Sequence, residues 1–400
     1  MVRSSTVSVV PKVEPSVGAA AIPSAGHGHA GDPGAVDDHL REAVLARVCD
    51  DVEAARGATD RVAVRRGVAR ALAAEGVVVA PARWARMVRD LVDEIAGLGP
   101  VEALLRDPGV TDVCCNGPDE VWVDRHGRLE RTNVRFRDAD TMVAVIRRVL
   151  SGTGRRLDRA TPCVDGLLPG GVRLHAAIPP VVTQPVLTLR RVAAIVPTWE
   201  EYVAGGMVTA ELRSLLCDLV VDRRNLVVCG PAGSGKTTLL SRLLGEVGDD
   251  RVVLIEDTPE LVRTCRHAVG MTVVEPGPDG GGVDLESLVR QSLRMRPDRL
   301  VVGEVRGREV ASLLQAMNTG HAGSCTTVHA NSAGEALVRL EGMALLAGLP
   351  LAAARAQVDA AIDVVVALGR DGGRRRVQEV VAVESGEDGT RTLTRMWARP

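Results

Sequence analysis

Between residues 36 and 107, apolar side chains return at every third or fourth position. Leu40, Val44, Leu45 and Val48 make one such stripe, and Trp84, Val88, Leu91, Val92 and Ile95 make another. A helix of about 3.6 residues per turn gathers such positions on one face, so the stretch predicts a helical module. Pro81 suits the first turn of a helix, and Gly97-Leu-Gly-Pro100 interrupts the last stripe. The period then changes. Val110-Thr-Asp-Val-Cys-Cys115 reads as a strand that Asn116-Gly117 turns into Val121-Trp-Val123, a hairpin signal. A helical stripe over 140–150 and strand-like segments at 171–178 and 186–190 complete a small α+β domain over 108–196.

Pro197 breaks the preceding strand, and Thr198 with Glu201 forms a capping box for a new helix. From there to residue 400, short buried runs at 225–229, 252–255, 300–302 and 324–328 alternate with helical stretches. That alternation predicts a largely parallel sheet with crossover helices, an α/β nucleotide-binding core. Runs at 362–368 and 377–383 read as final strands. Residues 1–35 are rich in Pro, Gly, Ala, Ser and Val without a period, which predicts a disordered tail. His27 and His29 read as tail histidines rather than a metal handle.

Composition narrows the partners. A net charge of −2 creates no global field towards nucleic acid or anionic lipid. Aromatics are 2% of the chain, so Val, Leu, Ala and Ile must fill the cores. The eight cysteines include no C-x-x-C pair, and several lie in apolar runs, which reads as buried reduced thiols. No apolar run approaches the length of a membrane span and no signal-peptide core is present. The expectation is a cytoplasmic chain that meets a membrane only through a partner.

Two of the 49 basic residues are lysines, Lys12 and Lys236. Lys236 stands in Gly230-Pro-Ala-Gly-Ser-Gly-Lys-Thr237, the G-x-x-x-x-G-K-[ST] phosphate-binding loop, between a hydrophobic strand and a helical stretch. Gly230, Pro231, Ala232, Gly233, Ser234, Gly235, Lys236, Thr237 and Thr238 form the candidate cradle, whose glycines let backbone N–H groups curl around the phosphates at a helix N-terminus. A compact ammonium fits between phosphates where a planar guanidinium does not, and the Thr237 hydroxyl is placed for Mg²⁺. Leu254-Ile-Glu-Asp-Thr-Pro-Glu260 follows with Glu256, Asp257 and Glu260 at a strand end, suited to orienting Mg²⁺ or activating water. Leu300-Val-Val-Gly-Glu-Val-Arg306 has Gly303 where a Walker B strand ends in Asp, with Glu304 next as a candidate general base beside Mg²⁺. His321 and His329 flank a polar strand and could donate hydrogen bonds to a γ-phosphate. Between Arg128 and Arg159 lie nine arginines against four acids, either a solvated face or charge delivered across a domain interface. A single-stranded nucleic-acid groove is disfavoured, because Phe136 is the only aromatic there.

The order phosphate loop, Ile-Glu-Asp-Thr-x-Glu-Leu, Val-Gly-Glu-Val-Arg, Asn-Thr-Gly-His and Val-His-Ala-Asn-Ser resembles the type II/type IV secretion ATPase superfamily. Asn116-Gly-Pro-Asp-Glu-Val-Trp122, Arg135-Phe-Arg137, Ile178-Pro-Pro180 and Met295-Arg-Pro-Asp298 are most similar to the CpaF-like assembly ATPases of Flp (tight adherence) pili. The eight-residue step from His321 to His329 is similar to the Flp and type IV secretion branches, where twitching-retraction motors have seven. The resemblance spans about residues 85–385. It implies a RecA-like P-loop NTPase core and a ring-shaped homo-hexamer that binds ATP and Mg²⁺ between N- and C-terminal domains and docks on an inner-membrane platform protein. It further implies Glu260 as acidic-box carboxylate, Glu304 as Walker B glutamate, His321 and His329 as the histidine box, and Arg173 and Arg190 as arginines meeting the γ-phosphate. The chain departs from the family pattern at Leu167, Gly170 and His175. The implied function is an ATP-driven motor for pilus assembly or type II secretion. Rival readings are a type IV secretion motor and a non-hydrolysing nucleotide-binding scaffold.

Overall fold

The computed structural model describes residues 38–54, 61–125, 127–192, 195–274, 281–386 and 390–399; the tail expected over 1–35 lies outside them. The chain forms two compact units that divide between Ala96 and Gly97.

The first unit holds α1 (Asp38–Ala54), α2 (Arg61–Ala74) and α3 (Pro81–Ala96). Each helix buries one stripe: Val44 and Val48, then Val64, Val68 and Leu72, then Met87, Val88, Leu91, Val92 and Ile95. Val44, Val48, Val88, Leu91, Val92 and Ile95 are positions that the three-and-four spacing singles out; Leu40, Leu45 and Trp84 of the same stripes are partly buried against them, and the α2 stripe and Met87 add to these. Pro81 opens α3, where its missing N–H costs nothing. Arg41 pairs with Glu94 at 2.7 Å and Arg61 with Asp93 at 2.6 Å, joining the helices by charge-assisted bonds.

The second unit begins with α4 (Glu102–Leu105) and an antiparallel sheet. Its strands are β1 (Val110–Asn116), β2 (Val121–Arg125), β3 (Arg128–Arg131), β4 (Cys163–Leu168), β5 (Val172–Ala177) and β6 (Val186–Arg191), in spatial order β3-β2-β1-β6-β5-β4. The hairpin expected at Asn116-Gly117 is present, with Gly117 at φ 108, where a side chain would be strained. Helix α5 (Ala139–Ser151), capped by Asp138, lays Met142, Ile146 and Leu150 against Leu174, Leu187 and Leu189, with Phe136 fully enclosed.

Next come α6 (Trp199–Ala204), whose capping box between Thr198 and Glu201 forms in full, and α7 (Ala210–Val221). They lead into β7 (Leu226–Cys229), α8 (Lys236–Leu243), β8 (Val252–Glu256), β9 (Ala268–Thr272), α9 (Leu285–Ser292), β10 (Arg299–Val302), α10 (Glu309–Asn318) and β11 (Cys325–Val328). The unit closes with α11 (Ala333–Leu346), α12 (Leu351–Ala361), β12 (Val364–Asp371), β13 (Arg374–Ser385) and β14 (Arg391–Ala398). The sheet order is β14-β13-β12-β7-β11-β10-β8-β9, parallel from β12 to β9 and antiparallel at β13 and β14.

The period of two explains why its central strands read as continuous apolar runs. Val227 and Cys229 of β7 face one helical layer, and Leu226 and Val228 face the other. Val253 and Ile255 of β8 divide from Val252 and Leu254 in the same way. Both faces are covered, as parallel strands require. Four strands escape the sequence pattern, β3, β4, β9 and β14. All are edge strands; β3, β9 and β14 bury too little for an apolar alternation to mark them, and β4 buries Val164, Gly166 and Leu168 on one face, with a glycine in the middle of the stripe. Among the described residues no helix is long and apolar enough to cross a membrane.

Candidate active site

Ligands of such sheets bind beyond the carboxyl ends of the parallel strands, and four neighbouring strands here end in chemistry. The phosphate loop follows β7. Gly233 and Gly235 adopt φ 67 and 95, and a Cβ on Gly230 would stand 2.6 Å from Ser234 Oγ and 2.8 Å from the Leu368 carbonyl. Only glycine lets the chain curl this tightly into α8. Helix α8 starts at Lys236 with no side-chain cap, which leaves its first N–H groups to a ligand. Ser234 is fully buried, and its hydroxyl has no hydrogen-bond partner among the described residues. Lys236 donates to the carbonyls of Gly230 (2.9 Å) and Pro231 (3.1 Å) and lies 3.3 Å from His329 Nδ1. Burial lowers the Lys236 pKa, opposed by the charge of Glu304. Pro231 and Ala232 are exposed, while Thr237 and Thr238 are half-buried in the first turn of α8.

The acidic loop after β8 is anchored to α8. Ser241 accepts from the Val262 N–H (3.1 Å), and the Thr264 hydroxyl donates to the Ser241 carbonyl (2.5 Å). Its three carboxylates differ. Glu256 is buried and takes the N–H groups of Glu260 (2.9 Å) and Leu261 (2.8 Å) on one oxygen, Oε1. Burial raises the pKa of both Glu256 and Asp257. Glu260 instead reaches out to pair with Arg173 of β5. Thr237, Glu256, Asp257, Glu260, Gly303, Glu304, Arg306 and Arg173 line one cleft.

Gly303, standing in the Walker B aspartate position, has a steric reason. A Cβ there would lie 2.9 Å from Glu256 Cγ and 3.2 Å from its Oε1. The carboxylate from β8 fills the space beside β10 that a side chain at 303 would need. Glu304 follows, its Oε2 held by Arg306 through Nε (3.0 Å) and Nη2 (2.5 Å). Its Oε1 lies 2.7 Å from His329 Nε2, yet that approach is off the angle of a hydrogen bond, and Oε1 has no other partner among the described residues. Because Lys236 can only donate, Nδ1 of His329 must accept, which puts the proton of a neutral ring on Nε2. Burial lowers the His329 pKa and favours that neutral form, against the pull of Glu304.

Arg173 and Arg190 stand opposite each other across β5 and β6, so their side chains share one face of the antiparallel sheet. Arg190 lies 3.8 Å from Asp112, and its charge bears on Lys236. His321 is not brought to the cleft. It precedes β11, with Nδ1 on the Ala316 carbonyl at the end of α10, whereas His329 follows β11. The four residues of β11, about 13 Å at roughly 3.3 Å each, separate the two ends of the strand.

Two functional neighbours went unread in the sequence. Arg370 of β12 donates to the Gly233 carbonyl (3.2 Å), bracing the phosphate loop from a strand more than a hundred residues away. Glu309 accepts the N–H groups of Arg306 (2.6 Å) and Gly307 (2.8 Å). The spacing of an acid three residues after Arg306 is the only local signal of the second. Among the described residues no group of three or more His, Cys, Asp or Glu could hold a metal by itself. Mg²⁺ at a nucleotide needs no such cage, since phosphates and waters supply most of its ligands. Thr237, Asp257 and Glu304 offer hard oxygen donors in the cleft, while Glu256 has one oxygen committed to the backbone.

Parallel sheet, glycine-rich turn, buried lysine and strand-end carboxylates together define a P-loop nucleoside triphosphatase with a RecA-like core, an ATP-hydrolysing enzyme. The sequence profile of the type II/IV secretion system proteins matches residues 94–384, and the chain belongs to that family. A Mycobacterium tuberculosis protein named for conjugal transfer is 43% identical over 317 residues, 77% of this chain and 90% of that protein. The conjugal transfer protein TrbB of Rhizobium radiobacter is 33% identical over 75% of this chain and 91% of its own length. Among solved structures, the pilus retraction motor PilT with bound ADP shares the fold at TM-score 0.54 and 21% identity, covering 72% of this chain and 83% of that one.

Proposed function

We propose that this ATPase is the motor of a conjugation-type (type IV) secretion machine. The observation that carries the reading is its 43% identity along 90% of a protein named for conjugal transfer, with TrbB in support. In this reading the chain works in the cytoplasm as a homo-hexamer. It docks at the inner face of the membrane on a platform protein and makes no direct contact with nucleic acid.

Residues 197–400 carry the phosphate loop, and residues 108–196 supply arginines. ATP phosphates approach the uncapped start of α8, where Lys236 exchanges the Gly230 and Pro231 carbonyls for phosphate oxygens. The orphan Ser234 hydroxyl gains a partner there. Mg²⁺ beside Thr237, Asp257 and Glu304 would neutralise charge between the phosphates. Glu304 Oε1 accepts the proton of the attacking water, with the neutral His329 beside it and Arg306 fixing the other oxygen. Arg173 leaves Glu260 for the γ-phosphate, and Arg190 follows on the same face. Turnover is thereby tied to the position of the antiparallel sheet.

A second reading, assembly of Flp pili, is favoured by the motif run from Asn116 to Trp122; the eight-residue histidine step fits both readings. A deletion strain complemented with wild type or Glu304→Gln separates the two. Loss of DNA transfer with surface pili intact supports the conjugation-type motor, and loss of pili with transfer intact supports the pilus motor.

A further inference from the structure

We infer that Glu309 is a positioning residue for the water-activating end of the site: its carboxylate fixes the loop that aims Arg306 at Glu304. The inference rests on the hydrolytic reading of Glu304. Glu309 opens α10, is 8% exposed, and uses a single oxygen, Oε1, to accept both the Arg306 and the Gly307 N–H. These are consecutive backbone donors of a turn in which Arg306 and Arg308 are exposed and Gly307 is half-buried, so the buried Glu309 carboxylate, which takes both, pins a stretch of chain that water could otherwise solvate in other conformations. Gly307 makes room for the second oxygen, since a Cβ there would come within 3.2 Å of Glu309 Oε2.

The consequence passes through three bonds. With its N–H held by Glu309, Arg306 presents Nε and Nη2 together to Glu304 Oε2. That fork commits Oε2 and leaves Oε1 as the buried oxygen that makes no hydrogen bond among the described residues, 2.7 Å from His329 Nε2, the one left to take a proton from a water admitted beside it. The neighbouring strand carries the same device, where buried Glu256 takes two consecutive N–H groups of the loop that carries Glu260. Glu309 itself does not line the cleft, so it acts through Arg306 and not on substrate.

The test uses the full chain with ATP and reads kcat separately from nucleotide affinity. Glu309→Ala is expected to lower kcat about 100-fold, the effect of a misplaced group at an otherwise intact site, with ATP affinity within about three-fold of wild type. Glu309→Gln keeps one oxygen for both N–H groups and is expected to retain kcat within about five-fold. Should the alanine variant fail to fold, Glu309→Asp, which draws the carboxylate one methylene back from the two N–H groups, takes its place, with a loss of kcat greater than that of Glu309→Gln expected. Three outcomes overturn the inference: wild-type kcat in Glu309→Ala, equal losses in both variants, or a parallel loss of ATP affinity. Glu304→Gln serves as the control. If it turns over normally, the hydrolytic reading fails; if it is dead while Glu309→Ala is active, only the positioning role fails.

Discussion

Replacing Arg173 by alanine separates a fold contact from a catalytic one. Arg173 is paired with Glu260, and the two side chains are 32% and 33% exposed. An ion pair so open to water contributes about 0.2–1 kcal/mol to folding. An arginine that meets the γ-phosphate in the transition state accelerates turnover by about 10³ to 10⁵. At about 1.36 kcal/mol per factor of ten, that is roughly 4–7 kcal/mol of barrier. Arg173→Ala therefore changes the urea-unfolding free energy by less than about 1 kcal/mol, while phosphate release at saturating ATP falls by at least about three orders of magnitude. Arg173→Lys, which keeps the charge without the planar fork, falls in between. A rate loss below about ten-fold in the alanine variant, with the fold intact, refutes the assignment of Arg173 to the phosphate.

Gly303→Ala drives a methyl into Glu256 at 2.9 Å and costs about 1–3 kcal/mol in urea unfolding; an unchanged midpoint contradicts the steric account. Asn225 donates to the Ala361 carbonyl and accepts from the Gly323 and Ser324 N–H groups, so Asn225→Ala strands buried backbone and destabilises by at least about 2 kcal/mol. His329 predicts a pH dependence. Its pKa is lowered in the folded chain, so below the ordinary histidine value of about 6.5 the unfolded chain binds the extra proton first. Stability referable to His329 is full above that pH and is lost as pH falls through the window below it. Wild type should lose stability faster than His329→Gln only on that acid side, and a His329-dependent slope at pH 7–8 would contradict the sign.

The phosphate loop, the acidic strand ends and the layered α/β core were legible because each is written in a contiguous run of residues. Lys236, Thr237, Glu260 and Glu304 meet in space since parallel strands deliver their carboxyl ends to one edge. What the sequence left unresolved depends on contacts distant along the chain or on which atom is already engaged. Glu256 and Asp257 read alike in sequence as candidate Mg²⁺ ligands beside the acidic-box Glu260, yet the fold commits Glu256 to backbone N–H groups and Glu260 to Arg173. Gly303 looked like a departure from a motif until the Glu256 side chain beside it showed what fills the space. His321 and His329 form a pair in sequence, but β11 sets them at opposite ends of a central strand. Arg370 carries no local sign that it will reach Gly233. The edge strands β3, β9 and β14 bury too little to impose a pattern.

The central claim is that Lys236 and its neighbours hold ATP for hydrolysis. Steady-state phosphate release by purified wild type and Lys236→Ala protein tests it most directly. The wild type is expected to release phosphate only with ATP, and the variant to release none while keeping its fold. Equal rates from the two proteins would contradict it.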